Sequence, residues 1–134
     1  MPIVVETLTK PSQQDLQDLA RLYADAPSWM LAGPEQALAL VSAALEDGSL
    51  IAARFNDRLL GAARLQRQDG TWQLSDLCVR SLTRRRGVGL RLVNEAQRLA
   101  REAGAGLRLF SKQESAEMHA LLAPLNLTLD VARL

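Results

Sequence analysis

Residues 79–89 read VRSLTRRRGVG, an arginine-rich turn with two glycines that separates a strand-like segment from a helix-like one. The first turn of a helix has four backbone N–H groups without partners and a partial positive charge, so it can hold phosphate oxygens directly. Gly87 and Gly89 let such an anion approach the backbone, and the arginines at 84–86 add permanently charged donors around it. The turn therefore predicts a binding site for a small phosphate-bearing anion.

Two common phosphate-binding motifs do not fit this turn. The pattern G-x-x-x-x-G-K-[ST] occurs nowhere in the chain. The dinucleotide-binding pattern G-x-G-x-x-G begins at Gly87 and Gly89 but has Leu92 where its third glycine would stand. The pattern that remains is R-x-x-G-x-G, placed after a strand and before a helix.

Hydrophobic periodicity on either side of the turn predicts alternating strands and helices. The predicted strands are Ile3–Thr7, Leu50–Phe55, Leu59–Gln66, Trp72–Val79, Leu107–Phe110 and Leu127–Val131. The predicted helices run from Ser12 to before Pro27, from Pro34 to before Asp47, from Gly87 to Ala103 and from Glu114 to Leu122. Ser12 and Asp15 resemble a capping box, and Asn56-Asp57-Arg58 and Gln68-Asp69-Gly70 are turn-forming, which indicates an antiparallel meander. A meander followed by a β-α-β crossover predicts an α/β fold with a mixed, mostly antiparallel sheet covered by helices.

The composition describes one domain with almost balanced charge. The chain has 134 residues, 48% of them hydrophobic, with 16 lysines and arginines against 15 aspartates and glutamates. A chain of this length buries roughly two thirds of its unfolded surface, so residues 1–134 are expected to form a single domain. Between Arg80 and Arg101 there are seven arginines and one acid, Glu95. This local excess of positive charge, in a chain whose net charge is only +1, favours a small anion over a generic polyanion as the binding partner.

Few residues of the kinds that build metal or disulfide sites are present. One cysteine and one histidine, Cys78 and His119, exclude a cysteine-rich zinc site and a disulfide. No histidine lies near Cys78 in the sequence, which favours a packed thiol over a nucleophile. No segment approaches the ~20 apolar residues of a membrane span, and no basic region precedes an apolar run at the N-terminus. We therefore expect a cytoplasmic protein with neither a metal nor a membrane partner.

The R-x-x-G-x-G turn resembles the pyrophosphate loop of the GNAT acetyltransferase superfamily, whose pattern is Q/R-x-x-G-x-G/A between the fourth strand and the third helix. Arg84, Gly87 and Gly89 match that pattern, and the predicted element order agrees over nearly the whole chain. The resemblance implies a GNAT fold with a β-bulge and splay between strands 4 and 5, flanked by about four helices. It also implies that acetyl-CoA or CoA is the cofactor.

Two segments, Ala53–Leu60 and Val79–Gly89, are similar to the PanZ family, also called PanM, within that superfamily. Members of this family are acetyl-CoA sensors that bind the proenzyme of aspartate α-decarboxylase, PanD, and promote its self-cleavage. The resemblance implies that the end of the fourth strand faces the pantetheine and that the turn surrounds the pyrophosphate. The cofactor-binding residues it implies are Leu77, Cys78, Val79, Thr83, Arg84, Arg85, Arg86, Gly87, Val88, Gly89 and Leu90. The partner-binding residues it implies are Arg54 and Asn56, which fit ordinary hairpin positions equally well.

Catalysis of acetyl transfer is an open alternative to sensing. GNAT enzymes commonly use a tyrosine in the helix after the fifth strand as the acid for the departing thiolate, and this chain has Leu122 there. Its one tyrosine, Tyr23, lies in the first predicted helix. Asp76, which shares a strand face with Cys78, and His119 are the remaining catalytic candidates. The alternative is therefore an N-acetyltransferase acting on a small-molecule or peptide amine.

A nucleic-acid-binding module is the second alternative, because three consecutive arginines stand at 84–86. Aromatic residues, which stack on bases, make up only 4% of the chain, and the whole chain is not strongly basic. Arg91, Arg98 and Arg101 fit the exposed face of an amphipathic helix. We therefore expect no nucleic-acid partner.

Overall fold

The computed structural model describes residues 3–24, 34–67, 70–79, 87–111 and 129–131. The elements in chain order are β1 (Val4–Thr7), α1 (Gln13–Ala24), α2 (Pro34–Glu46), β2 (Leu50–Phe55), β3 (Arg58–Gln66), β4 (Thr71–Val79), α3 (Val88–Glu102), β5 (Gly106–Ser111) and β6 (Leu129–Val131). Each matches a predicted element. The predicted fourth helix, Glu114–Leu122, lies outside the described residues. Within the described ranges, no helix is both long and apolar enough to cross a membrane.

The six described strands form one sheet in the order β1-β2-β3-β4-β5-β6. Strands β1 to β4 pair antiparallel, whereas β5 pairs parallel with both β4 and β6. The step from β4 to β5 is parallel because α3 lies between them in the chain and returns it to the starting end of the sheet. The prediction of a mixed, mostly antiparallel sheet is confirmed.

Helices cover both faces of the sheet, because alternate residues of the inner strands point to opposite sides. Leu50 and Ala52 of β2 pack beneath α1 and α2, whereas Ile51 and Ala53 pack against α3. The α1/α2 core contains Leu8, Leu19, Leu22, Tyr23, Ala37, Val41, Ala44, Leu50, Ala52, Leu59, Ala62 and Cys78. The α3 core contains Ile51, Ala53, Ala63, Leu65, Leu74, Leu77, Val88, Leu92, Val93, Ala96 and Leu109. The sheet is therefore the middle of three layers.

A reciprocal pair of hydrogen bonds marks the start of α1. The Ser12 hydroxyl accepts a bond from the Asp15 N–H at 3.0 Å, and the Asp15 carboxylate accepts one from the Ser12 N–H at 3.1 Å. This is the predicted capping box, with aspartate in the position that glutamate or glutamine usually occupies. The arrangement fixes the Asp15 carboxylate at the beginning of the helix.

Asn56 and Asp57 form the two-residue turn between β2 and β3, with φ angles of 48° and 65°. Two successive positive φ angles are typical of a type I′ turn, which asparagine and aspartate tolerate. The turn pairs Phe55 with Arg58, so Arg58 belongs to β3 and not to the turn in which the sequence analysis placed it. Arg54 and Arg58 therefore flank the turn, one on each strand.

Candidate functional site

The strand β4 carries a β-bulge towards its C-terminal end. Ser75 pairs with Arg64 of β3 and Cys78 pairs with Ala62, so two residues of β4 stand opposite one residue of β3. Asp76 lies at the bulge, and its φ of 55° is in the left-handed region. The GNAT resemblance implied a bulge and splay between strands 4 and 5, and the structure places the bulge in β4, opposite β3.

The bulge changes which core receives each side chain of β4. Leu74 and Leu77, three residues apart, both pack in the α3 core, because the bulge interrupts the two-residue alternation. Cys78 points to the other side, where its thiol donates a hydrogen bond of 3.0 Å to the Leu22 carbonyl. The thiol is buried and packed, so any contact between Cys78 and a ligand at the strand edge would use its backbone.

Strands β4 and β5 diverge after the first half of β4. Their parallel register ends where Leu74 stands opposite Leu109. From there β5 continues to Ser111 paired with β6, while β4 continues through the bulge to Val79. The last five residues of β4 therefore extend past the β4-β5 ladder, which confirms the splay implied by the resemblance.

Tyr23 of α1 reaches the bulge from one face of the sheet. Its hydroxyl donates a hydrogen bond of 2.9 Å to the backbone carbonyl of Asp76. Burial of the side chain, with further effects of Cys78 and Asp76, raises the pKa of Tyr23 well above its ordinary value. The hydroxyl therefore stays protonated and remains a donor. No local sequence pattern predicts this role, because the two residues are 53 positions apart.

The first turn of α3 presents backbone N–H groups that have no acceptor within the helix. Gly87 is the N-cap residue, with a φ of 77° and no side-chain hydrogen bond at the cap. Among the described residues, the first helical bond runs from the Arg91 N–H to the Gly87 carbonyl at 3.0 Å, so the N–H groups of Val88, Gly89 and Leu90 point towards the N-terminal end of the helix. No acidic residue occupies the first turn. This end of the helix therefore keeps the partial positive charge that favours an anion.

Gly61 of β3 brings the start of α3 close to the end of β4. It stands opposite Val79 in the sheet. A Cβ atom at Gly61 would lie 2.8 Å from Cγ1 of Val88 and 3.1 Å from Cδ1 of Leu92, which is closer than side chains pack. Gly61 was not among the predicted site residues, although a glycine inside a strand is a signal of close backbone approach.

The structure describes only part of the predicted cofactor set. It brings together the end of β4, with Leu77, Cys78 and Val79, and the start of α3, with Gly87, Val88, Gly89 and Leu90. Thr83, Arg84, Arg85 and Arg86 lie outside the described residues, and so does the catalytic candidate His119. The other catalytic candidate, Asp76, lies at the bulge.

Arg54, predicted to contact a partner, is held within the protein by two carboxylates. Its guanidinium donates to both oxygens of Asp15 at 2.9 and 3.0 Å and to Glu6 at 3.0 Å. The hydrogen bond from Arg54 holds the pKa of Asp15 below its ordinary value against the opposing effect of burial. The Arg54 side chain is 24% exposed, and Asn56, two residues further on, is exposed at the turn.

Arg58, on the other side of the turn, pairs with the buried Asp18 of α1. The closest contact, between Nη2 and Oδ1, is 2.7 Å, and the Leu59 N–H donates to Oδ2 of the same carboxylate at 3.1 Å. Burial acts to raise the pKa of Asp18, but the hydrogen bonds from Arg58, Leu59 and Gln14 outweigh it and lower the pKa. The two ion pairs to α1, from Arg54 and from Arg58, fix the helix against the hairpin, and no sequence pattern predicted them.

The hairpin turn and the cofactor residues lie at the same end of the sheet. Strands β3 and β4 are antiparallel, and Gly61, near the start of β3, stands opposite Val79, the last residue of β4. The β2-β3 turn, at 56–57, therefore lies beyond the end of β4 that adjoins the start of α3. A ligand on α3 and a partner on the turn would meet neighbouring parts of one surface.

A six-stranded mixed sheet with a bulged fourth strand, a splayed fifth strand and a glycine-flanked third helix defines the GNAT class of acetyltransferase-like folds. The solved structures that resemble it include PH1933 from Pyrococcus horikoshii OT3, with a TM-score of 0.75, 13% identity and coverage of 92% of this chain and 87% of that one. Another is the PaiA N-acetyltransferase of Thermoplasma acidophilum in complex with coenzyme A, with a TM-score of 0.69, 16% identity and coverage of 93% and 89%. At these identities the likeness establishes the fold.

The chain belongs to the PanZ family, because the family model described as the acetyltransferase (GNAT) domain of PanZ matches residues 2–123. A relative from Salmonella typhimurium strain LT2, named PanD regulatory factor, is 38% identical over 98 residues, which are 73% of this chain and 68% of the relative. The protein of the same name from Escherichia coli K12 is 37% identical over 100 residues, with the same two coverages. Both resemblances drawn from the sequence are confirmed.

Proposed function

We propose that this protein is a regulator of PanD: it binds acetyl-CoA and, in that state, promotes maturation of the aspartate α-decarboxylase proenzyme. The observation that carries the proposal is membership of the PanZ family together with 37–38% identity to two PanD regulatory factors. Residues 1–134 act as a single domain, and the protein works in the cytoplasm.

The start of α3 suits the pyrophosphate of acetyl-CoA. Outward-pointing N–H groups at residues 88–90 and the absence of an acid in the first turn provide donors and a favourable field. A Cβ atom at Gly87 would meet nothing within 4 Å among the described residues. The arginines at 84–86 would add charge-assisted hydrogen bonds to the phosphates.

The end of β4 suits the pantetheine arm of the same ligand. Pantetheine contains two amides, and an extended amide-bearing chain can add to a strand edge by backbone hydrogen bonding. Residues 75–79 extend past the β4-β5 ladder, and it is beside this part of β4 that such a chain would add. These contacts need no particular side chain, which accords with the burial of Leu77 and Cys78.

The hairpin turn suits a protein partner at the same end of the sheet. Three hydrogen bonds to Asp15 and Glu6 use three of the five N–H groups of Arg54 and fix the orientation of its guanidinium. A fixed, partly exposed guanidinium loses little side-chain entropy when a partner binds. Because the hairpin turn lies close to the proposed acetyl-CoA site, bound acetyl-CoA can affect the association of the protein with its partner.

The position of Tyr23 weighs against catalysis of acetyl transfer. It is the only tyrosine of the chain, and its hydroxyl is buried and bonded to the Asp76 carbonyl. The high pKa of Tyr23 and its place in the α1/α2 core leave it unsuited to protonate a thiolate. Binding of nucleic acid is disfavoured by the low aromatic content of the chain, 4%, and by its net charge of only +1.

Two measurements test the proposal. Calorimetric titration with acetyl-CoA should give saturable binding, and tagged PanD proenzyme should retain the protein more strongly when acetyl-CoA is present. Asn56→Gly, which preserves the positive φ while removing the amide, and Arg54→Ala should weaken retention, whereas Arg101→Ala on the exposed end of α3 should not. Absence of acetyl-CoA binding at millimolar ligand would overturn the sensor function.

The same preparation separates the alternatives. Release of free thiol from acetyl-CoA in the presence of an amine would establish an N-acetyltransferase instead. Salt-sensitive retention of DNA or RNA that acetyl-CoA does not displace would establish a nucleic-acid module. If retention by PanD survives both hairpin substitutions, the partner surface lies elsewhere.

A further inference from the structure

We propose that Tyr23 is a positioning residue for acetyl-CoA: its hydroxyl holds the bulge at Asp76 in the shape that separates β4 from β5. The inference rests on the proposed function, since it concerns how the acetyl-CoA site is formed. It assigns to α1, on the opposite side of the sheet from α3, a part in preparing the site.

The bulge contains a backbone conformation that needs support. Asp76 has a φ of 55°, and the left-handed region is costly for residues other than glycine, although aspartate tolerates it better than most. Such a conformation persists where surrounding contacts over-determine it. The bond from the Tyr23 hydroxyl to the Asp76 carbonyl, 2.9 Å long, is a contact of this kind.

The direction of this bond links it to the divergence of the strands. Tyr23 packs in the α1/α2 core, on one face of the sheet. The bond from its hydroxyl therefore reaches the Asp76 carbonyl from a helix on that face and not from a neighbouring strand. The bond therefore stabilises a peptide orientation that does not continue the parallel register, which ends at Leu74.

The hydroxyl is suited to a permanent structural role. Tyr23 is 2% exposed, and its raised pKa keeps it protonated throughout the range in which proteins function. Its ring is fixed among the apolar side chains of the α1/α2 core, so its oxygen has one position. A donor held in this way fixes the position of the Asp76 carbonyl. It thereby fixes where the backbone of residues 75–79 diverges from β5.

The test compares Tyr23→Phe with Leu19→Val, a conservative change of a fully buried residue of the same helix and core. The phenylalanine keeps the ring and removes only the hydroxyl. We expect Tyr23→Phe to weaken acetyl-CoA binding in calorimetry by about five- to tenfold, the factor that corresponds to one lost buried hydrogen bond. Leu19→Val, with a comparable fall in the urea midpoint, should leave the affinity unchanged.

A second readout reports the bulge without any ligand. In NMR spectra of the free protein, the intraresidue nuclear Overhauser cross-peak between the amide proton and Hα of Asp76 is strong only while φ is positive. The amide chemical shifts of residues 75–79 report the local backbone conformation. We expect both to change in Tyr23→Phe and to stay as in the wild type in Leu19→Val. Unchanged spectra in Tyr23→Phe would overturn the inference even if the affinity fell.

The outcomes separate the two proposals. If the wild-type protein does not bind acetyl-CoA, the proposed function fails and the inference falls with it. If the wild-type protein binds and Tyr23→Phe binds equally well, the inference alone is wrong. If Leu19→Val loses as much affinity as Tyr23→Phe, the effect reflects general destabilisation of the core, and the inference is wrong as well.

Discussion

Gly61 of β3 lies against Val88, the first residue of α3, so closely that a Cβ atom on the glycine would stand 2.8 Å from Cγ1 of the valine. Real side-chain atoms do not approach to that distance. Because Gly61 has no side chain, the first turn of α3 can lie this close to the sheet. Because Gly61 also stands opposite Val79, the same residue fixes the helix start relative to the end of β4.

Gly61→Ala should destabilise the protein by about 1–3 kcal/mol, because the added methyl group overpacks the contact with Val88 and Leu92. It should also weaken acetyl-CoA binding, since the first turn of α3 must move away from β4. Gly106→Ala is the matched control, because a Cβ atom there would find its nearest neighbour at 3.9 Å. Urea unfolding and calorimetry measure the two effects. Equal losses in both variants would contradict the explanation.

Gly87→Ala should reduce acetyl-CoA affinity beyond what backbone strain explains. Gly87 and Gly48 both have a positive φ, of 77° and 73°, and among the described residues a Cβ atom at either would meet nothing within 4 Å. Alanine should therefore cost about 1–2 kcal/mol of folding free energy at each site. Gly48 follows α2, whereas Gly87 is the N-cap of α3. Only the alanine at 87 should lower the affinity measured by calorimetry, and a similar fall at 48 would argue against a ligand at this helix end.

Acid should remove part of the stability through Asp15. Its hydrogen bond from Arg54 holds its pKa in the folded protein below the ordinary value of 3.8, so the unfolded chain takes up the proton first as the pH falls. The contribution is complete above that ordinary value and is lost as the pH falls through the folded pKa. Urea unfolding from pH 7 to pH 3 should show this loss, and Asp15→Asn should flatten the slope. Asp57→Asn, at the exposed turn, serves as the control, and an equal flattening there would contradict the assignment.

Asp18→Ala should cost about 1–3 kcal/mol of unfolding free energy, because the buried Leu59 N–H loses its acceptor. Asp18→Asn should cost less, since the amide oxygen can still accept that bond. The Arg58 side chain is 41% exposed, so its guanidinium is rehydrated in both variants and the surface part of the ion pair contributes little to the difference. Urea titration at pH 7 measures both costs. Equal costs would assign the effect to the lost charge rather than to the N–H group.

Contacts between residues distant in the chain were beyond the reach of sequence patterns. The bond of Arg54 to Asp15 spans 39 positions and that of Tyr23 to Asp76 spans 53. Gly61 was visible as a glycine within a strand, but its neighbours on α3 were not. Arg54 was assigned to a partner, whereas the structure also gives it two internal carboxylates.

The amino-acid sequence by itself determined the described strands and helices, the capping box at Ser12, the β2-β3 turn and the glycine-flanked start of α3. Hydrophobic periodicity, turn chemistry and capping act over a few residues, so they can be read without knowing the fold. Tertiary structure alone decided that Tyr23 supports the bulge, that Gly61 sets the depth of α3 and that Asp15 and Asp18 fix α1 to the hairpin. Those relationships join residues of different helices and strands. They form only when the helices pack against both faces of the sheet, so they depend on the whole fold.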